Sequence, residues 1–227
     1  MEREEEEKDE GEDPDDYLET RLARYDRWVK EGKIPYSSKV VPIQKSIEMM
    51  QWILPNKQVT MILRNAQSIA VAGCICRAHY QRCDNPLDVC LRLDQAADSC
   101  VSRGKGRYLS FEEACEILQK AGENGLVHMT VYNPEQQIYA ICSCCSCCCH
   151  EFQYIQKYGR RDLVVRSEYV VSTDPDACTG CKTCLERCPF QARVEENGIV
   201  KEDPDACYGC GLCITICPEE AITLQPR

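Results

Sequence analysis

The chain has 227 residues, 20 of them cysteine, a net charge of −10 and no apolar run near the roughly 20 residues that a membrane span needs. That length allows one large or two small domains, and no basic cluster exceeds Arg160-Arg161, which argues against nucleic-acid binding. So many cysteines would suit a secreted disulfide scaffold, but Met1-Glu2-Arg3-Glu4 opens the chain without an apolar signal region, so reduced, metal-bound thiols in the cytoplasm are expected.

Residues 1–16 carry eleven acids against Arg3 and Lys8, which predicts a disordered, solubilising tail. Leu18, Leu22, Tyr25 and Val29 recur at helical spacing and predict a helix over 17–33, stopped by Gly32 and Pro35. Val40-Val41-Pro42-Ile43 reads as an extended connector. A second helix is expected after Pro55, with Asn56 as N-cap and Val59, Ile62, Leu63 and Ala66 on one face. Residues 68–72 read as a short buried strand that delivers Cys74 and Cys76, and 87–101 as a helix. Ser110-Phe111-Glu112-Glu113 is a capping box. The helix it opens presents Phe111, Ala114, Cys115 and Leu118 on its apolar face and ends at Gly122 or Gly125. Residues 126–131 and 138–141 read as a hairpin around Asn133-Pro134, and helix plus hairpin point to a winged-helix-like packing. A helix over 147–157, ending at Gly159, and a strand-like lead over 164–173 complete the pass.

The C-terminal cysteines form a repeated motif. Cys178, Cys181, Cys184 and Cys188 are spaced C-x2-C-x2-C-x3-C before Pro189, and Cys207, Cys210, Cys213 and Cys217 repeat that spacing before Pro218. Each copy is entered through Asp-Pro-Asp-Ala-Cys, at Asp174 and again at Asp203. This is the ligand run of a two-cluster bacterial ferredoxin, in which three close thiolates hold three irons of a cube and the fourth reaches the other cluster. One 4Fe–4S centre is therefore expected on Cys178, Cys181, Cys184 and Cys217, and a second on Cys207, Cys210, Cys213 and Cys188. Zinc also takes C-x2-C pairs, but wants two pairs set far apart.

Twelve cysteines lie in the middle of the chain. Cys100 and Cys115 read as small buried core residues. The other ten, Cys74, Cys76, Cys83, Cys90, Cys142, Cys144, Cys145, Cys147, Cys148 and Cys149, are too crowded for ordinary core and read mostly as metal ligands. A cubane needs four thiolates, so ten leave several arrangements open. Cys74, Cys76, Cys83 and Cys90 could form one set, or two stretches of chain could meet at a cluster. The sulfurs could serve one or two further iron–sulfur centres, a non-standard cluster with extra thiolates, or zinc in place of iron. A strand aimed at Cys74 and a hairpin aimed at Cys142 would converge on one spot. Ser146 breaks the C-x-x-C-H haem attachment sequence before His150, which is a minor ligand candidate. His79 and His128 read as ordinary side chains.

Residues 41–193 resemble a family of anaerobe iron–sulfur proteins described as 4Fe–4S ferredoxin-type proteins. The likeness rests on Val41-Pro42, Lys45-Ser46-Ile47, the strand 68–72 into Cys74-Ile75-Cys76-Arg77, and then Cys83, Pro86-Leu87 and Cys90. Ala96-Ala97-Asp98, Glu113-Ala114, Gly125-Leu126-Val127 and the Cys142-x-Cys144-Cys145-x-Cys147-Cys148-Cys149 run complete it. The resemblance implies a cysteine-rich domain set directly before a ferredoxin domain, with no need for cysteine at 100 or 115. The longer helical lead of many members is here an acidic tail and one short helix.

The expected fold class is α+β: an acidic tail (1–16), a small helical and hairpin cysteine-rich metal-binding domain (17–163), and a bacterial-type two-cluster ferredoxin domain (164–227). The expected function is an iron–sulfur electron-transfer protein or subunit, passing single low-potential electrons to and from redox protein partners of an oxidoreductase system. The alternative is a reductase or reductive activase whose cysteine-rich site binds substrate at an unusual cluster. Leu109 stands where Gly104-Lys105-Gly106 would need a third glycine, so no nucleotide motif completes an enzyme, and no catalytic residue is assigned. A DNA-contacting redox sensor lacks its basic recognition helix.

Overall fold

The computed structural model describes residues 14–41, 55–135 and 137–227. The acidic run 1–13, Pro42-Ile43 and the Lys45-Ser46-Ile47 motif lie outside the described residues. In chain order the elements are α1 (Pro14–Lys30), β1 (Ser38–Val41), α2 (Pro55–Asn65), β2 (Ile69–Gly73), α3 (Ile75–Tyr80), β3 (Asp88–Leu93) and α4 (Gln95–Ser102). They continue with β4 (Gly106–Tyr108), α5 (Phe111–Glu123), β5 (Val127–Tyr132), β6 (Ile138–Cys144), α6 (His150–Tyr158) and β7 (Val164–Val165). The C-terminal part contributes β8 (Tyr169–Thr173), α7 (Thr183–Arg187), β9 (Arg193–Glu196), β10 (Ile199–Glu202), α8 (Leu212–Ile216) and β11 (Ile222–Pro226).

A seven-stranded sheet in the order β4-β2-β3-β6-β5-β1-β7 organises the first part. Its neighbours are antiparallel except for β1 and β7. Side chains alternate between faces along a strand, and both faces are covered. On one face Val71, Leu91 and Ile141 pack against Val59 and Leu63 of α2 and against Ala114 and Leu118 of α5. Burying each such aliphatic side chain contributes roughly 1.5–3 kcal/mol, so this layer anchors the sheet. On the other face Val40, Val127, Met129 and Cys144 pack against Phe152 of α6. Cys142 and Cys144 are two residues apart on β6 and so share that second face. The β3–β6 register pairs Leu91 with Ile141 and Arg92 with Ala140, and one step further sets Cys90 opposite Cys142.

The C-terminal part is two interleaved halves. β8 pairs with β11, β9 with β10, and Asp174 N–H donates to Ala221 O while Asp203 N–H donates to Ala192 O. The start of each half is thereby tied to the end of the other.

The α+β class holds, with differences in detail. The stretch 87–101 is not one helix: 88–93 is the strand β3, because Val89, Leu91 and Leu93 alternate with Cys90 and Arg92 at period two, and only 95–102 is helical. The hairpin 127–144 is the middle of the sheet, not a wing beside a helix, because β3 and β1 pair with its outer edges. The first helix runs Pro14–Lys30, so Pro14, Asp15 and Asp16 open it instead of closing the tail; proline is tolerated at a first helical position. The second begins at Pro55, which puts Asn56 inside the first turn and not at the cap. Val40 and Val41 form strand β1, not a connector. α6 starts at His150, leaving Cys147, Cys148 and Cys149 before it. The lead 164–173 is two strands in different sheets: β7 joins the large one and β8 pairs with β11. The capping box is as read, with Ser110 Oγ accepting from Glu113 N–H and Glu113 accepting from Ser110 N–H.

Candidate metal centres

The repeated motif folds twice in the same way. Asp174 Oδ1 accepts from Asp176 N–H, and Asp203 Oδ1 from Asp205 and Ala206 N–H, forming the turns that present Cys178 and Cys207. Gly180 (φ +68) and Gly209 (φ +65) follow in left-handed backbone. A Cβ there would sit 2.1 Å from Gly198 O or Tyr169 O, so only glycine fits. The short helices α7 and α8 then carry Cys184 and Cys213 in their first turn and end at Cys188 and Cys217 in extended backbone.

Two recesses result. One, of about 330 Å³ including its mouth, is lined by Cys178, Cys181, Cys184 and Cys217; the other, of about 310 Å³, by Cys188, Cys207, Cys210 and Cys213. Each collects three sulfurs from one copy of the motif and the last cysteine of the other. Backbone N–H groups point at the sulfurs, Ala192 to Cys188 Sγ at 3.3 Å and Gly209 to Cys207 Sγ at 3.3 Å, the type of contact that tunes a cluster's potential. Burial pushes Cys210 well up and Cys213 to about 12, so these thiols lose their protons readily only to a metal. Cys181 is exposed, so the first recess faces solvent, while Cys207, Cys210 and Cys213 are buried.

The ten middle cysteines separate into two groups. Cys83, in the loop after α3, meets Cys145, Cys147 and Cys148 of the turn after β6, with all four sulfurs within 4.8 Å of one another. Cys83 Sγ lies 3.8 Å from Cys145 Sγ and 4.0 Å from Cys148 Sγ, and Cys147 Sγ lies 3.8 Å from Cys148 Sγ. Burial acts against ionising Cys83, but Asn85 and the neighbouring thiols outweigh it and bring the pKa down to about 7.

The other six gather around the ends of β2 and β6 and the starts of α3 and α6, with Cys90 on β3 between them, and are coupled as neighbours in a ring. Cys74 meets Cys76 and Cys90, Cys90 meets Cys142, Cys142 meets Cys144, Cys144 meets Cys149, and Cys149 meets Cys76. Around it the thiols alternate. Cys74, Cys142 and Cys149 are held well below the ordinary value by the neighbouring thiols, while Cys76, Cys90 and Cys144 are driven above it by the same neighbours. Metal-ligating thiolates in this buried place would carry negative charge and call for cations. Arg77 and Arg92 supply two: burial disfavours their charge, yet the sulfurs outweigh it and raise both pKa values. Arg77 stands between the groups, close enough to Cys145 on one side and Cys74 on the other to couple to both. Its guanidinium also donates to Ser143 O at 2.8 Å and to Pro86 O.

Of the arrangements open in the sequence, the single set of Cys74, Cys76, Cys83 and Cys90 is not formed, because Cys83 joins the 145–148 turn. The convergence of the β2 and hairpin ends does occur. Cys144, Cys147 and Cys148 do not share a helix face, since Cys144 ends β6 and the others lie in a turn. His150 touches the ring, with Nδ1 3.3 Å from Cys76 Sγ, and is kept neutral by burial, its pKa down to about 3. Cys100 and Cys115 lie outside both groups; Cys115 packs on the α2–α5 face and Cys100 is buried on α4. Nothing in the residues marked Arg77 as a divider beyond its place after Cys76. Nor did anything mark the seam of Phe152, Phe190 and Tyr208, where Phe190 stacks on Tyr208 at 4.2 Å and lies 5.0 Å from Phe152.

Residues 170–219 match the 4Fe-4S dicluster domain family. That segment contains all eight motif cysteines, so the C-terminal part is of 4Fe–4S ferredoxin type and points to iron–sulfur electron transfer. No curated protein matches the chain. Among the described residues no helix is long and apolar enough to cross a membrane.

Proposed function

We propose that the protein is an electron-transfer protein or subunit. Two 4Fe–4S clusters in crossed ligation sit at its C-terminal end, on Cys178, Cys181, Cys184 and Cys217 and on Cys207, Cys210, Cys213 and Cys188. At least one further iron–sulfur centre lies in the middle part. The observation that carries this reading is the composition of the two recesses, each with three thiols of one motif and the fourth of the other. Bound clusters would supply one-electron chemistry. The chain's own part is to exclude water around Cys210 and Cys213, to aim N–H groups at Cys188 and Cys207, and to leave one recess near the surface for a redox protein partner. The inner recess is backed by the middle part, since Cys210 and Leu212 share a core with Cys144, Cys149 and Phe152. Electrons entering at one side therefore have a short packed route to the other. The domains divide between β7 and β8, a few residues beyond 163, with the cysteine-rich domain before and the ferredoxin domain after. Free thiols at all twenty cysteines fit a reducing compartment such as the cytoplasm.

A reductase or reductive activase is the second reading, favoured by one observation: ten middle thiols exceed what carrying an electron requires. Anaerobically prepared full-length protein, analysed for iron and by EPR after dithionite, tests the first reading. Cys188→Ser and Cys217→Ser should each lose about four irons and disturb different cluster signals. Zinc in place of those irons, or one signal lost in both variants, would refute it.

A further inference from the structure

The structure points to two middle-domain centres of different nuclearity, and we propose their assignment, resting on the reading above that this domain binds metal. Cys83, Cys145, Cys147 and Cys148 hold a single tetrahedral ion of the zinc class. Cys74, Cys76, Cys90, Cys142, Cys144 and Cys149 enclose a polynuclear iron–sulfur cluster, with two thiolates beyond the four of a cubane.

The spacing of the sulfurs separates the two. A zinc ion with four thiolates at about 2.3 Å has sulfur–sulfur edges of about 3.8 Å. In the Cys83 group three of the six edges are 3.8, 4.0 and 3.8 Å and the other three lie within 4.8 Å, close to what that tetrahedron needs. The C-terminal recesses look different: there four thiols line each recess and no three of them lie within 4.8 Å of one another, the wider spacing that a cube with outward-pointing ligands requires.

The ring resembles neither. Six sulfurs in a closed chain outnumber the four that one tetrahedral ion accepts, so more than one metal is needed. A pair of zinc ions sharing thiolates would require ready tetrahedra. Among the described residues, the Cys83 group is the one set of three or more such ligands that all lie within 4.8 Å, and no three ring sulfurs come that close. A wider metal core is what such a ring can bind. Its setting also suits a redox cluster. It is dry, with Cys74, Cys90, Cys144 and Cys149 buried. His150 Nδ1 lies 3.3 Å from Cys76 Sγ, in position to donate to a cluster sulfur, while His150 Nε2 is buried without a partner. Two guanidiniums, those of Arg77 and Arg92, offset its negative charge. Cys144 and Cys149 lie in one core with Cys210 of the inner ferredoxin recess, which puts the ring beside the cluster expected there.

The test counts metals in anaerobic full-length protein and in two variants, with zinc-edge X-ray absorption and iron Mössbauer spectra of the wild type. We expect about one zinc with four sulfur neighbours near 2.3 Å, and about four or more irons beyond the eight of the ferredoxin part. Cys90→Ser should remove that surplus iron and keep the zinc. Cys147→Ser should remove the zinc and keep all the iron. The wild-type spectra decide the matter even where a variant fails to fold. Two or three zincs with no surplus iron would overturn the assignment, as would loss of iron in Cys147→Ser with no zinc present. Absence of the eight ferredoxin irons, with the surplus retained, would sink the electron-carrier reading and leave this one standing.

Discussion

His128 sits under the cysteine-bearing strand and offers a pH test of how that strand is held. Its Nε2 lies 3.0 Å from Leu118 O and its Nδ1 2.9 Å from Ser143 Oγ. A carbonyl can only accept, so Nε2 carries the proton and Nδ1 receives the Ser143 hydroxyl; the imidazole is neutral and both nitrogens are used. Burial lowers its pKa from 6.5 to about 4. The unfolded chain takes up a proton near 6.5, the folded chain only near 4, so acidification favours unfolding across that window. The stabilisation is complete above the unfolded value and falls away as pH drops toward the folded one. At pH 5.5 the loss is about 1 kcal/mol or slightly more, and below pH 4 it reaches roughly 3 kcal/mol. In a chain of this size the first figure corresponds to about 4 °C in melting temperature. Anaerobic thermal melts by circular dichroism at pH 7.5 and 5.5, for wild type and His128→Gln, isolate it, because carboxylates and thiols titrate alike in both. Wild type should lose about 4 °C more than the variant over that interval. Equal losses would show that His128 does not hold β5, α5 and β6 together as a neutral buried group.

Arg77→Met should weaken metal retention in the middle domain about 10- to 100-fold in a chelator challenge, because it removes the cation between the two thiol groups and its bonds to Ser143 O and Pro86 O; unchanged release rates would make Arg77 a packing residue. Cys100→Ala and Cys115→Ala should leave iron and zinc unchanged and cost about 1 kcal/mol each; loss of metal would place either among the ligands. Phe190→Ala, which breaks the stack with Tyr208 and Phe152, should cost about 2 kcal/mol for a half-buried ring. It should also speed proteolysis in the 166–168 joint without changing metal content, and equal cleavage rates would mean that the aromatic seam does not hold the two parts together.

The C-terminal site was legible in the residues because its geometry is local. Asp174 and Asp203 make their turns, glycine takes the left-handed positions at 180 and 209, and three thiols lie within one turn of chain, so spacing alone carries most of the arrangement. The crossing of Cys188 and Cys217 was expected from the motif, whose fourth cysteine stands before a proline, and the linings of the two recesses agree with it. The capping box at Ser110 and the hairpin around Asn133 were readable for the same reason: each is settled by contacts between near neighbours. The middle site was not. Residues 87–101 carry both a period-two and a helical pattern, and only pairing with β2 and β6 makes 88–93 a strand. The run 142–149 looks like one block of thiols. The pleat sends Cys142 and Cys144 to one face, and the turn carries Cys145, Cys147 and Cys148 away to Cys83. The sequence by itself thus determined that ten thiols gather and that eight more follow a two-cluster repeat. Which sulfur stands beside which was decided by strand register and by Arg77, because ligands far apart in the chain meet only where the sheet brings them together.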